Sequence, residues 1–221
     1  MSRIQAVLFD LDGTVADTAP DLAAAANSLR LADGVPPLSV ETLRPLASQG
    51  ARGLLKEAVG LTPNDPGFEH ARLRFLSYYE NNLCVHTRLF PGIEPLLAGI
   101  EARQQPWGIV TNKVEYYAHP LMQKLGLGDR CAVVVGGDTT PNPKPAPDPL
   151  LHAARAINVA PELCLYVGDD LRDVQAAHAA GMTSVAVRWG YLGDGPPIEQ
   201  WQAHHIVRTP KELHELLETL C

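Results

Sequence analysis

Two carboxylates two residues apart, Asp10 and Asp12, close an apolar run in the stretch Asp10-Leu11-Asp12-Gly13-Thr14-Val15. In extended chain, residues i and i+2 project to the same side, so both acids reach one small site. Carboxylates that close repel, and a divalent cation is the usual remedy. Gly13 permits a tight turn away from the run. The chemistry this spacing suggests is nucleophilic and acid–base work beside a metal. A solvated acidic turn is the plain alternative.

Three later stretches supply what an aspartyl-phosphate chemistry needs. Val110-Thr111-Asn112 ends another apolar run with a hydroxyl and the start of a new segment, where hydroxyl and backbone N–H groups can hold phosphate oxygens. Lys144 stands between Pro143 and Pro145, which restrict its direction, and its ammonium can neutralise a transferring phosphoryl group. Gly168-Asp169-Asp170-Leu171-Arg172-Asp173 adds hard oxygen ligands suited to Mg²⁺. Each stretch has a simpler use as well: a helix N-cap for Thr111 and for the acidic pair, a loop charge for Lys144.

These residues need a scaffold that brings chain ends together. Residues 4–9, 107–110, 132–135, 163–167 and 183–187 are short, apolar and rich in β-formers, as in strands covered on both faces of a parallel sheet. Helical patterns lie between most of them: one opens near Pro91 and carries Leu96, Leu97 and Ile100, one runs over 121–125 to Gly126, and one follows Asp170 and stops at Gly181. The alternation predicts a doubly wound α/β domain, in which ligands sit beyond the carboxyl ends of the strands.

Residues 17–88 break the alternation. Leu22, Ala25, Ala26 and Leu29, then Phe68, Ala71, Phe75, Leu76, Tyr79 and Leu83, follow helical spacing, and Thr18 with Asp21 resembles a capping box. Gly34, Pro36-Pro37, Gly60 and residues 62–66 separate the helices. The expectation is an α/β core over 1–16 and 89–221, with an all-helical domain over 17–88 inserted after the first strand. The polar stretch Ser48-Gln49-Gly50-Ala51-Arg52-Gly53 reads as a turn for substrate contact, since Arg52 can pair bidentately with a carboxylate or phosphate; a surface Arg at a helix start is the alternative.

The 221 residues carry 18 Lys and Arg against 25 Asp and Glu, a net charge of −7 with no basic run. That excludes the electrostatic footprint of a nucleic-acid or anionic-membrane binder, though not a small phosphorylated ligand held by local charges. The N-terminal apolar run meets Asp10 too early for a signal peptide or a membrane span, so a cytoplasmic protein is expected. Cys84, Cys131, Cys164 and Cys221 form no CxxC pair; three read as buried small hydrophobes, the last as incidental. Trp189, Tyr191 and Trp201 read as core.

With the DxDGT at Asp10, the TN at Thr111, the KP at Lys144 and the GDDxxD at Asp169, the whole chain resembles the haloacid dehalogenase superfamily, and the helical insert resembles its type 1 cap. The resemblance implies a Mg²⁺-dependent phosphatase: Asp10 as nucleophile, Asp12 as general acid and base, Thr111, Asn112 and Lys144 as phosphate binders. It implies Mg²⁺ on the Asp10 carboxylate, the Asp12 carbonyl and Asp169, with Asp173 and Asp170 behind; Asp170 stands where relatives often have Ser. Within the superfamily the chain is most similar to phosphoglycolate phosphatases, while Gly50-Ala51-Arg52, Cys84-Val85-His86, Trp107 to Lys113 and Gly168 to Asp173 look more like N-acetylmuramic acid 6-phosphate phosphatases. Both substrates are small carboxylated phosphate esters that Arg52 would suit. A phosphomutase uses the same acid pair, and a phospho-acceptor receiver module also combines acids, Thr and Lys on a parallel sheet but lacks such an insert.

Overall fold

The structure, a computed structural model, describes residues 3–193 and 195–220. In chain order the strands are β1 (Ala6–Phe9), β2 (Ala16–Asp17), β3 (Arg88–Leu89), β4 (Trp107–Val110), β5 (Val133–Val135), β6 (Cys164–Gly168), β7 (Thr183–Val187) and β8 (His205–Val207). The helices are α1 (Ala19–Ala32), α2 (Val40–Leu43), α3 (Gly50–Val59), α4 (Phe68–Asn81), α5 (Ile93–Ala102), α6 (Glu115–Lys124), α7 (Asp148–Ala156), α8 (Leu171–Ala179) and α9 (Pro210–Leu220).

A 6-stranded parallel sheet runs β5-β4-β1-β6-β7-β8, so chain order reverses at β1. The register sets Val7 beside Trp107 and Ala6 beside Cys164. The two faces of β1 explain why its sequence reads as unbroken apolar. Val7 and Phe9 enter a core shared with α5, α6, α9 and the helical insert, while Ala6 and Leu8 enter a second core under α7 and α8. Both layers are packed, which is the doubly wound architecture expected from the alternation.

The helical segment leaves and rejoins the sheet region through β2 and β3, which pair antiparallel, Ala16 with Leu89 and Asp17 with Arg88. Neither strand was legible in the sequence, because two-residue strands with a polar member carry no period. Strand β8 was missed for a similar reason: it is three residues long at the sheet edge, and only Val207 is buried. Within the insert the apolar stripes pack as spaced, with Leu22, Ala25, Ala26 and Leu29 of α1 and Phe68, Ala71, Phe75 and Tyr79 of α4 buried.

Several expectations need correction. Thr18 does precede α1, but its side chain makes no cap bond; its hydroxyl donates to Asp12 Oδ1 at 2.5 Å. Asp21 does not close a capping box either. Its buried carboxylate accepts from His86 N, Thr87 N and Thr87 Oγ1 at 2.8, 2.9 and 2.6 Å, tying the start of the insert to its end. The longer-range partners win because three donors outweigh one local cap. Of the cysteines, Cys164 is buried, Cys84 and Cys131 are half-buried, and Cys221 lies outside the described residues. Tyr191 and Trp201 are core residues, whereas Trp189 is half-buried with its indole N–H on the Thr14 carbonyl. Among the described residues no helix is long and apolar enough to cross a membrane.

Asp21→Ala strands the buried N–H and hydroxyl of Thr87 and removes the partner of the His86 N–H, a cost of roughly 3–5 kcal/mol. The expected fall in melting temperature by calorimetry is about 10 °C. A shift under about 2 °C would show that the Asp21 clasp contributes little to holding the insert's ends.

Candidate active site

Asp10 is the first residue past β1, where the strand order reverses on either side and the neighbouring loops diverge to leave a crevice. Its side chain is nearly buried; Oδ1 accepts from Leu11 N at 2.7 Å and lies 3.1 Å from Lys144 Nζ. Asp10 Oδ2 has no donor among the described residues.

Lys144 reaches the site from the loop before α7, and Asn112 fixes that loop. The Asn112 amide donates to the Lys144 carbonyl at 2.9 Å and accepts from the Lys144 N–H at 3.0 Å. Lys144 Nζ then donates to Val110 O, Tyr166 Oη and Asp173 Oδ1 at 3.0, 2.7 and 2.7 Å. Burial works against this ammonium, but Asp10 and Asp173 outweigh it and raise its pKa. Asn112 thus serves the lysine's main chain, a use the sequence reading did not foresee. Thr111 is buried at the end of β4; its oxygen accepts from Lys113 N at 3.2 Å, which leaves the hydroxyl proton to donate toward the pocket.

The acidic motif after β6 divides its labour. Asp169 is fully buried, accepting from Thr14 Oγ1 and Tyr191 N at 2.8 Å each. Asp170 turns away: it caps α8, accepts from Arg172 N at 2.9 Å, and pairs with the Arg172 guanidinium at 2.8 Å. Burial pushes its carboxyl up, but Arg172 prevails and holds it below the usual range. Asp173 completes the capping box by accepting from Asp170 N at 3.0 Å, and its other oxygen accepts a hydrogen bond from Lys144 Nζ. The helix-cap and functional readings of this motif therefore coexist, on different acids.

Asp10, Asp169 and Asp173 each offer an oxygen within 4.8 Å of the others. Burial pushes Asp10 up to about 7, with Lys144 pulling it down and Asp173 and Asp12 adding to the rise. Asp169 is raised well above the usual carboxylate range by burial and then by Asp10 and Asp173. Three crowded oxygen donors with a surplus of negative charge fit a hard divalent cation such as Mg²⁺. Asp12 is outside this cluster. Its Oδ1 faces Thr18 Oγ1 and, at 3.1 Å, Lys113 Nζ.

Glycine is required twice around Asp169. Gly13 has φ +85°, and a Cβ there would lie 2.2 Å from Asp169 Oδ2; one at Gly190 would lie 2.2 Å from Asp169 Cβ. Thr14, Gly190, Tyr191, Lys113 and Tyr166 were not singled out as site residues from sequence. Thr14 and Lys113 adjoin recognisable motifs, whereas Gly190, Tyr191 and Tyr166 carry no local signal.

A cavity of about 430 Å³ opens over these groups, lined from the sheet side by Asp10, Asp12, Thr111 and Lys144 and from the insert by Leu22, Ser48, Gln49 and Arg52. The stretch expected as a polar turn is instead a junction: a 3-10 segment, Arg44–Gln49, meets α3 at Gly50, whose φ is +60°. Arg52, in the first turn of α3, is exposed and has no partner among the described residues.

The family model for haloacid dehalogenase-like hydrolases matches residues 7–187, a range that includes Asp10, Asp12, Thr111, Lys144, Asp169 and Asp173. The chain is a haloacid dehalogenase-like hydrolase. The hydrolase is 41% identical over 220 residues to the N-acetylmuramic acid 6-phosphate phosphatase of Pseudomonas putida, covering 99% of each chain. It is 47% identical over 213 residues to the phosphoglycolate phosphatase of Xanthomonas campestris pv. campestris, covering 96% of this chain and 95% of that one. The crystal structure of a predicted phosphoglycolate phosphatase from Haemophilus somnus superposes with a TM-score of 0.85 at 28% identity, covering 98% of this chain and 99% of that one. The hydrolase is an enzyme of the phosphatase class.

Asp169→Asn removes one of the crowded charges while the Thr14 hydroxyl can turn to accept from the new amide. The metal-free variant at neutral pH is expected to melt no lower than wild type. Wild type should gain roughly 3 kcal/mol at Mg²⁺ a hundredfold over its Kd, and the variant should not. Thermal melts with and without Mg²⁺ check both parts, and an equal Mg²⁺ response in the two proteins would remove Asp169 from the metal site.

Proposed function

We propose that the hydrolase cleaves a small carboxylated phosphate monoester, 2-phosphoglycolate or N-acetylmuramic acid 6-phosphate, through an aspartyl-phosphate on Asp10. The observation that carries this reading is the convergence of the open oxygen of Asp10 and the Lys144 ammonium on one cavity, with the buried Asp169 carboxylate beside Asp10. Asp10 Oδ1 is anchored by Leu11 N–H and Lys144, so Oδ2 is the oxygen left to form the new P–O bond. As that bond forms, the ester P–O bond breaks and the leaving oxygen takes a proton from Asp12. Asp12 then takes a proton from a water whose oxygen attacks phosphorus, releasing phosphate and restoring Asp10.

Lys144 and the Thr111 hydroxyl orient the phosphoryl oxygens and offset charge as they spread in the transition state. Asp10, Asp169 and the Asp12 carbonyl are the groups proposed to hold Mg²⁺, with Asp173 beside them; when bound, the cation supplies further charge neutralisation on the phosphate. Asp170 contributes indirectly, by holding Arg172 against the Ser48 carbonyl at 2.7 Å and so joining the acidic motif to the insert.

The division into a core of residues 1–16 and 89–221 and a cap of 17–88 is part of this proposal. The β2–β3 pair at the two ends of the insert and the cavity walled from both sides support it. The cap's role is to exclude water from the bound ester and to present Arg52 to the substrate carboxylate. The cavity is roomy enough for a sugar phosphate as well as a two-carbon ester.

Asp10→Asn is expected to lower phosphate release by about 10³-fold or more on every ester tested, since no other group can form the covalent bond. Retention of most activity would refute the nucleophile. Arg52→Ala should raise KM about 10- to 100-fold for 2-phosphoglycolate or N-acetylmuramic acid 6-phosphate, whichever wild type prefers, while leaving an uncharged alkyl phosphate nearly unaffected. An unchanged preference would remove Arg52 from substrate recognition. Release of free phosphate by wild type without a bisphosphate activator separates hydrolysis from mutase chemistry.

A further inference from the structure

Lys113 is an almost buried cation at the site, its side chain 8% exposed, and the mechanism above gives it no task. It follows Thr111 and Asn112 on the loop leaving β4. Its Nζ lies 3.1 Å from Asp12 Oδ1 and donates to Tyr79 Oη at 3.2 Å, 5.0 Å from the centre of the Tyr79 ring. Tyr79 belongs to α4 of the insert, is 2% exposed, and packs edge-on against Tyr117 of α6 at 5.6 Å between centroids. A lysine buried to this degree must keep good partners, because its charge is costly to bury. The partners here are a carboxylate of the sheet domain and the hydroxyl and ring face of an insert residue.

We propose that Lys113 is a positioning residue for the leaving-group side of the reaction: it holds the Asp12 carboxyl in place for proton delivery, and through Tyr79 it makes that placement depend on the seated insert. The inference rests on the assignment of Asp12 as general acid. Asp12 Oδ1 is pinned by Lys113 and by Thr18, so Oδ2, with no donor among the described residues, is the oxygen that can serve the ester. Removing one pin lets the carboxyl rotate about its side-chain torsions, and small displacements of a reacting group of about 1 Å can cost about 10²-fold. The Tyr79 contact supplies a second link to the insert, beside the bond from Thr18 at its root.

Leaving-group dependence separates this role from a merely structural one. An alkoxide needs a proton as it departs, whereas p-nitrophenolate leaves without one. The experiment measures the first turnover by rapid quench or stopped flow, using Mg²⁺-loaded full-length enzyme. The substrates are p-nitrophenyl phosphate and whichever of 2-phosphoglycolate and N-acetylmuramic acid 6-phosphate wild type cleaves. Lys113→Met is expected to slow cleavage of the alkyl ester by about 100-fold and of p-nitrophenyl phosphate by less than about 5-fold. Tyr79→Phe, which keeps the buried ring, should show the same selectivity at about 2- to 10-fold and covers the case in which Lys113→Met does not fold. Equal slowing of both esters, or none, in the variants would overturn the inference alone. Wild-type cleavage of the alkyl ester that Asp12→Asn leaves intact would overturn the general-acid assignment and the inference with it.

Discussion

Three buried carboxylates within 4.8 Å of one another are the constraint on which this site is built. At an effective dielectric of about 20, two unit charges about 5 Å apart repel by roughly 3 kcal/mol, so three mutually close ones cannot all stay ionised without compensation. Lys144 is the only ammonium in direct contact with two of them among the described residues. Its position follows from the need to serve both, and Asn112, Tyr166 and the Val110 carbonyl follow from the need to hold it there. Burial first, and then the neighbouring carboxylates, raise Asp10 and Asp169 above the usual carboxylate range.

Asp169 is held by groups from two other parts of the chain. Thr14, four residues beyond Asp10, donates to one oxygen, and the N–H of Tyr191, in the loop after β7, donates to the other. Gly13 and Gly190 let the backbone come close enough for these bonds to form. The same loop reaches the start of the insert: the Tyr191 hydroxyl accepts from the N–H groups of Thr18 and Ala19, and the Trp189 indole donates to the Thr14 carbonyl. Asp169, the turn that follows Asp10 and the root of the insert are therefore joined by one set of hydrogen bonds.

Besides the Thr18 bond to Asp12 at its root, the insert contacts the site at three places of different character. Arg172 reaches the Ser48 carbonyl from the acidic motif, Lys113 reaches Tyr79 from the loop after β4, and Arg52 extends into the cavity with no partner among the described residues. The first two are closed contacts that orient the insert on the sheet domain. The third is open: the Arg52 guanidinium lines the cavity without a partner among the described residues.

The sequence alone determined five of the six strands of the sheet, the helical insert and the acids. Apolar runs buried on both faces, glycine stops and a carboxylate pair at a strand end are local signals, each set by a few neighbouring residues. Residues 4–9 read as a strand because neighbouring strands and two helical layers cover them, and the DxDGT stretch could be placed at its end for the same reason. Partnerships were decided only by the tertiary structure. Thr18 and Asp21 have the spacing of a capping box, yet they bond to Asp12 and to the end of the insert, because those donors and acceptors arrive from residues 6 and more than 60 positions away. Asp169 and Asp170 are adjacent and chemically identical, but one is buried among carboxylates and the other faces Arg172. Lys113 and Tyr191 became site residues only when the chain closed around them. A hydrogen bond or ion pair depends on distances of a few ångströms between segments far apart in the chain, and composition and periodicity carry no information about those distances.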